Sequence, residues 1–502
     1  MKKVAESVFN RYPEIKPSVK FCLTKEKGDL SIYAAAAAMA VGDYLAMMNP
    51  DDQLAMEALY EICRVIQAQD VDIIYADTSR IDETGRSAEW RYKPDFSPDL
   101  LLSVNYIGHF FVFKKDLVNV SDGLPRHWAG ALDYAMLLEL TEKAEKIYHI
   151  PKVLSHHRRH ALSWGGGTAT QGRAAVQKQV LADALDRRQV KGAISETSLP
   201  AVYRVKRDIT GNPRISIIIP FRDRPGYLNT CIRTILDKSS YSNFEIIGIN
   251  NGSQRSDTAD VIDELGHLDP RIRFTDLPIP FNYSRLNNFG VSLSTGDIIL
   301  LLNNDIEIMR ADWLEALIEH AQRACVGAVG GKLYYPDHTI QHAGVIIGVA
   351  GFAGHAYRQA PGDSPGYENR LACIQNVSAV SGAMLMVRKK LYIESGGLDE
   401  DNLSVSLNDI DFCLQLRQKE FLNIFTPHCE AIHHESVSRG YEETPGKKMR
   451  FHKEILFFQH KWNNIIQRGD PYYNPNLLLT DEGALFKQRG SPAENVRRGY
   501  NR

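Results

Sequence analysis

No cysteine framework and no bilayer-spanning stretch run through these 502 residues. The seven cysteines, Cys22, Cys63, Cys231, Cys325, Cys373, Cys413 and Cys429, show no CxxC spacing, so neither a disulfide scaffold nor a zinc ribbon is indicated and a reducing compartment fits. No apolar run approaches the length that crosses a bilayer, and the opening MKKVAESVFNRYPEIK is basic without an apolar stretch behind it. A cytoplasmic location is expected, soluble or peripheral at the cytoplasmic face of the membrane. Charge of one sign is missing too: the net value of -2 gives no global reason to expect nucleic acid, and the clusters Arg158-Arg159-His160 and Lys447-Lys448 read as solvated surface. Phosphate-cradling glycine loops are absent. Gly330-Gly331-Lys332 has Val326 where a Walker loop needs glycine and Leu333 where it needs Ser or Thr, and no GxGxxG occurs.

What is present is apolar material, 44% of residues against 24% charged, enough for two or three domains with cores of their own. The most informative string is GDIILLLNNDIE, Gly296 to Glu307. Ile298 to Leu302 reads as a strand buried on both faces, and such strands present ligand groups at their carboxyl ends, in the crevice of an open α/β sheet. Asp305, at that end, suits a hard divalent cation that keeps waters and takes oxygens from a phosphate; a plain polar turn after a strand is an equal reading.

An internal repeat sets the domain organisation. Gly42 to Asp51 echoes Gly296 to Asp305, with nine residues from glycine to aspartate in both. Asp133-Tyr134 and Asp409-Ile410 each precede a histidine pair, His156 lying 23 residues after Asp133 and His433 lying 24 after Asp409. The interval between the two aspartates is about two dozen residues longer in the second copy, which implies an insertion there. The second copy opens with the β-branched run Ile215 to Ile219, a polar turn, the helical pattern Leu228, Ile232, Ile235, Leu236, and a strand from Phe244 to Ile249 that ends at Asn250-Asn251-Gly252-Ser253. This is a βαβ unit whose strand tips should line a ligand crevice. The first copy is too short to contain one. Between the copies, Gly165-Gly166-Gly167 marks a flexible turn, and Val176, Val180, Leu181 and Ala184 fall on one face of a linker helix.

The strings IIIPFRDRPGYL, INNGS, FNYSRLNNFGVSLSTGD, LLLNNDIE, LNDIDFCLQLR and HHESVSRGY stand in that order. Together they resemble the family 2 glycosyltransferases of the GT-A fold, and within them bacterial enzymes, often with tandem copies, that build surface polysaccharides such as O-antigen and capsule, rhamnosyltransferase-like members included. The likeness implies an α/β fold with a Rossmann-like, mostly parallel sheet flanked by helices, in two tandem copies of which the first is incomplete. It implies a nucleotide-diphosphate sugar as donor, a glycan or lipid-linked glycan as acceptor, a divalent cation (Mn2+ or Mg2+), and transfer with inversion. By position it makes Asp409 the catalytic base, Asp305 and His433 metal ligands, and Pro220, Asp223, Asn250, Asn251, Asn288, Asn303 and Asn304 donor-binding residues. Asp411, His434, Glu307 and His355 are further candidates, and Ser436, Ser438 and Arg439 are placed to meet phosphate. Two departures matter: Asn250 stands where the family commonly has aspartate, and the amide Asn303 opens the metal motif, leaving Asp305 as its main carboxylate.

The expected boundaries are 1–160 for the truncated copy, 161–213 for the linker, 214–465 for the catalytic domain and 466–502 for a tail. The first copy keeps Asp51, Asp133 and His156, but it carries Pro50 in the metal loop and Ala135 opposite Asp411, and so is expected not to turn over donor. It is either a remnant that helps hold glycan or part of a longer two-site polymerase. The insertion from Gln341 to His355 suits a lid or acceptor platform, or equally a glycine-rich hairpin, and Trp313, Tyr334 and Tyr357 suit either sugar stacking or the core. The alternative to an enzyme is a non-catalytic glycan-binding or scaffold protein made of two worn modules.

Overall fold

The computed structural model describes residues 29–49, 51–82, 84–118, 128–158, 168–434 and 444–479. These fall in two compact units, the first made of residues up to Trp90 with Ile107–Gln189, the second of Arg91–Tyr106 with residues from Val190 onward. Two of the differences between this division and the expected boundaries have a visible physical basis. The helix Thr168–Arg187 groups with the first unit, where Leu181 and Ala184 are buried and Arg187 and Arg188 grip Glu142 at 2.9 and 3.1 Å. Arg91–Tyr106 groups with the second unit, because its buried polar groups are satisfied there: Asp99 pairs with Arg323 at 2.6 Å and Ser97 Oγ donates to Asn376 at 2.9 Å. The Gly165–Gly167 turn, the end of the tail, and Ser436, Ser438 and Arg439 lie outside the described residues.

In the first unit, β1 (Tyr44–Met47), β2 (Gln53–Leu54), β3 (Ile73–Ile81), β4 (Phe111–Lys114) and β5 (Ile147–Arg158) form one sheet in the order β1-β4-β3-β5-β2, with a short side strand on β3. The junctions run antiparallel, antiparallel, parallel, antiparallel. A buried face of the helix Ala58–Ala68 packs into its core, and the helix Leu132–Lys143 is buried at seven of its twelve residues.

The second unit has β6 (Ile215–Phe221), β7 (Phe244–Asn250), β8 (Ile272–Asp276), β9 (Ile298–Leu302), β10 (Ile306–Ile308), β11 (Val326–Tyr334), β12 (Met384–Arg388) and β13 (Leu422–His433) in the order β8-β7-β6-β9-β12-β11-β13-β10. Its part β9-β12-β11-β13-β10 repeats the first unit's sheet strand for strand, and the junctions have the same directions. The remaining strands β8-β7-β6 pair in parallel with one another and onto β9, and they have no counterpart among the described residues of the first unit. β6 and β9 are buried along their whole length, as their unbroken apolar runs require of strands covered on both faces. Parallel β6, β7 and β9 therefore end on one side of the sheet, and antiparallel β12 begins there.

Candidate active site

Asp305 follows the tip of β9, is 5% exposed, and leads into the edge strand β10, whose Ile306 pairs with His433 at the end of β13. His433 Nδ1 lies 2.6 Å from Gln341 Oε1, while the same amide donates its Nε2 to the His433 carbonyl. That fixes the amide's orientation and puts the imidazole proton on Nδ1. His433 Nε2 then accepts from Asn303 Nδ2 at 3.1 Å and turns its lone-pair side toward Asp305 Oδ1, 3.2 Å away. This separation completes no hydrogen bond, and Asp305 Oδ1 is buried without a donor among the described residues. A buried carboxylate oxygen lacking a donor, beside an imidazole nitrogen lacking a proton, fits a divalent cation.

Asp409 lies in the first turn of the helix Asn408–Gln418, entered through Leu407 at φ +64°. Its Oδ2 accepts from Gly382 N–H at 2.7 Å and its Oδ1 from Ile410 N–H at 2.8 Å. A Cβ on Gly382 would sit 3.2 Å from Asp409 Cβ and 3.4 Å from both Oδ2 and the Tyr283 hydroxyl, so a side chain there would have to push the Asp409 carboxylate aside by a few tenths of an ångström. Tyr283 donates to the Gly382 carbonyl at 2.7 Å; burial, and then the Asp409 charge, push its phenol well above the ordinary value and keep it a donor. The two acidic centres join through one stretch of backbone: Asn303 N–H bonds the Ala383 carbonyl at 3.1 Å, next to the Gly382 amide that holds Asp409. Ser381 N–H, one residue earlier, faces Nε2 of the buried His342 at 3.3 Å, and His342 meets His355 Nδ1 to Nδ1 at 2.7 Å. Burial drives the His342 pKa far down, so it stays neutral and donates to His355.

At the tips of β6 and β7 the expected donor residues divide. Asp223 (φ +51°) accepts from the Gln254 and Arg255 amides, and Asn250 accepts from Ser253 while donating to Asp276 Oδ1 at 2.7 Å. Asp276 ends β8, so the carboxylate missing from position 250 stands one strand over. Asn251 is buried with its amide nitrogen bound to the Leu277 and Ile279 carbonyls, and its Oδ1 has no donor among the described residues. Pro220 is buried within β6. Asn288 bonds within the fold: its amide nitrogen bonds Leu398 and Glu400, and its oxygen receives Tyr392 and Leu398, so it clamps the segment around Leu398.

Asp411, two residues on from Asp409, points elsewhere. Fully buried, it accepts Trp462 Nε1 at 2.7 Å, Lys461 Nζ at 2.7 Å and Gln415 Nε2 at 2.7 Å, and so anchors the helix Pro445–Arg468 instead of facing Asp409. Trp313, Tyr334 and Tyr357 are core residues; Trp313 donates to Ser239 and Tyr334 to Glu430. Glu307 and His434 pair at 3.4 Å on the edge strand, and His434 N–H bonds the Asp305 carbonyl at 3.0 Å. Gln341, His342, Gly382 and Asp276 were not among the expected residues, although the glutamine and histidine sit at the start of the insertion that was.

Residues 216–396 match the model of glycosyl transferase family 2. They form a family 2 glycosyltransferase domain. This domain contains Asp305 and the Gly382 amide, while Asp409 and His433 follow it in the same unit. The chain is 39% identical over 488 residues to the uncharacterized protein y4gI of Sinorhizobium fredii, covering 94% of this chain and 52% of that one. It is 34% identical over 460 residues to the O-antigen biosynthesis protein RfbC of Myxococcus xanthus, covering 91% and 35%. The chain thus spans about half or less of the length of these relatives. A solved structure of the mannosyltransferase PcManGT from Pyrobaculum calidifontis, in complex with GDP-Man and Mn2+, aligns over 59% of this chain and 74% of its own at 14% identity and a TM-score of 0.39.

Proposed function

We propose that the chain is an inverting, metal-dependent glycosyltransferase that moves a sugar from a nucleotide-diphosphate sugar to a hydroxyl of a growing surface glycan such as O-antigen or capsule. The observation that carries this reading is the pairing of a cation-ready Asp305 and His433 with an oriented Asp409, linked through Asn303, Ala383 and Gly382. The cation, Mn2+ or Mg2+, would be held by Asp305 and His433 and would neutralise charge on the leaving diphosphate. Asp223, Asn250, Asn251 and Asp276, at the tips of the parallel strands, would hold the nucleoside. Asp409 takes the proton of the acceptor hydroxyl as that oxygen attacks the anomeric carbon from the face opposite the departing diphosphate, which leaves with the electron pair of the broken C–O bond. The amide N–H groups of Gly382 and Ile410 orient this carboxylate.

The first unit would not turn over donor, because no three-strand portion equivalent to β6, β7 and β8 stands among its described residues. The O-antigen role of one relative supports an acceptor carried on lipid at the cytoplasmic membrane face. No described helix is long and apolar enough to cross a membrane, so that contact would be peripheral. Incubation of the purified chain with UDP-, dTDP- and GDP-sugars, Mn2+ or Mg2+, and a lipid-linked or glycan acceptor tests the reading. Transfer lost with chelator, and lost in Asp409→Asn with donor binding kept, is the expected result. No transfer from any donor, or transfer undiminished in Asp409→Asn, would replace it with a scaffold of worn modules or with another base.

A further inference from the structure

We propose that the first unit carries a divalent-metal site of its own, formed by Asp52, His109 and His157. These residues come from three separate places in the chain: the lead into β2, the lead into β4, and the end of β5. Each offers one ligand atom, the three atoms lie within 4.8 Å of one another, and all three residues are half-buried. Asp52 Oδ2 contacts His109 Nε2, and the His109 and His157 rings stack at a centroid distance of 4.0 Å. Two further polar neighbours are Arg158 N–H, 3.4 Å from Asp52 Oδ1, and Ser155 Oγ, 3.5 Å from His157 Nε2.

The site shares a position in the fold with Asp305 and His433 but differs in its chemistry. In each unit an aspartate immediately precedes the edge strand that pairs with the histidine-bearing end of the long strand: Gln53 pairs with His156, and Ile306 with His433. His156 nevertheless bonds Ser79 Oγ at 2.7 Å, and it is His157 that turns to Asp52. His109 has no imidazole counterpart. It stands two residues before Phe111, which pairs with Met47 and Tyr75; the residue two before Leu385, which pairs with Leu301 and Gly330, is Ala383. The first unit has thus gained a nitrogen ligand where the glycosyltransferase unit has a methyl group. One carboxylate with two imidazoles and room for further ligands suits a borderline transition ion, Zn2+ or Co2+, over Mg2+. This inference does not rest on the proposed transfer activity.

The test uses the full chain, stripped with chelator and titrated with Zn2+ and with Co2+, whose visible absorption reports nitrogen ligation. Asp305→Asn leaves the first unit untouched and should still bind one equivalent of Co2+, and His109→Ala or His157→Gln in that background should abolish it. Circular dichroism before titration shows which variants fold. If folded Asp305→Asn takes up no Co2+, or if folded His109→Ala and His157→Gln variants take it up unchanged, the site does not exist, and Asp52 and His109 form an ordinary hydrogen bond.

Discussion

Replacement of Gln341 by leucine tests the geometry at Asp305 most directly, because Gln341 is buried, was not legible as a site residue, and touches the proposed metal site through a single imidazole. Its Oε1 accepts the His433 Nδ1 proton at 2.6 Å. Leucine removes that acceptor, at a direct cost of about 0.5–1.5 kcal/mol for the hydrogen bond. It also frees the ring to carry its proton on Nε2, where it would donate to Asp305 and close the ligand position. Loss of such an outer partner typically lowers metal affinity by about 10–100-fold, or about 1.4–2.7 kcal/mol. Gln341→Glu keeps an acceptor at the same place and should retain most of the affinity, which separates positioning from general disruption. Mn2+ affinity, measured by calorimetry in the presence of donor nucleotide, should therefore fall in the order wild type, Glu variant, Leu variant, with thermal melts checking the fold. A leucine variant that binds Mn2+ as tightly as wild type would refute the tautomer assignment and the ligand role built on it.

Gly382→Ala should lower kcat at least tenfold while the fold is kept, since its Cβ presses on Asp409 and the Tyr283 hydroxyl; steady-state kinetics beside a melting curve would check this. Asp411→Ala should destabilise the second unit by about 3 kcal/mol in urea unfolding, because it strands the buried Trp462 donor and the Lys461 charge. Arg323→Ala should cost about 3–5 kcal/mol by leaving Asp99 buried without its ion pair. Asp99 also makes stability depend on pH: burial alone would raise its pKa, but Arg323, His320 and Arg207 hold it well below the ordinary value. A depressed folded-state pKa gives stability that is fully present above the unfolded aspartate value, about 3.9, and is lost as the pH falls below it. Thermal melts of wild type against Asp99→Asn should converge as the pH is lowered through that range.

The sequence by itself determined the repeat and the strand tip that carries Asp305. These are local properties, written in unbroken apolar runs and in intervals between aspartates and histidines, and burial of both sheet faces leaves such runs little choice of structure. Only the tertiary structure decided where neighbouring side chains point. Asp409 and Asp411 are two residues apart on one helix, so they face different partners, the Gly382 amide and the Trp462 indole. In the first unit His156 and His157 are adjacent on one strand and bond Ser79 and the Asp52 cluster respectively. Asn288, expected at the donor, is held by Leu398, Glu400 and Tyr392, more than a hundred residues away, which no local pattern in the sequence announces. Residue type and spacing name the groups that chemistry can use, but partners distant in the chain fix their orientation, and orientation decides which of them can meet a substrate.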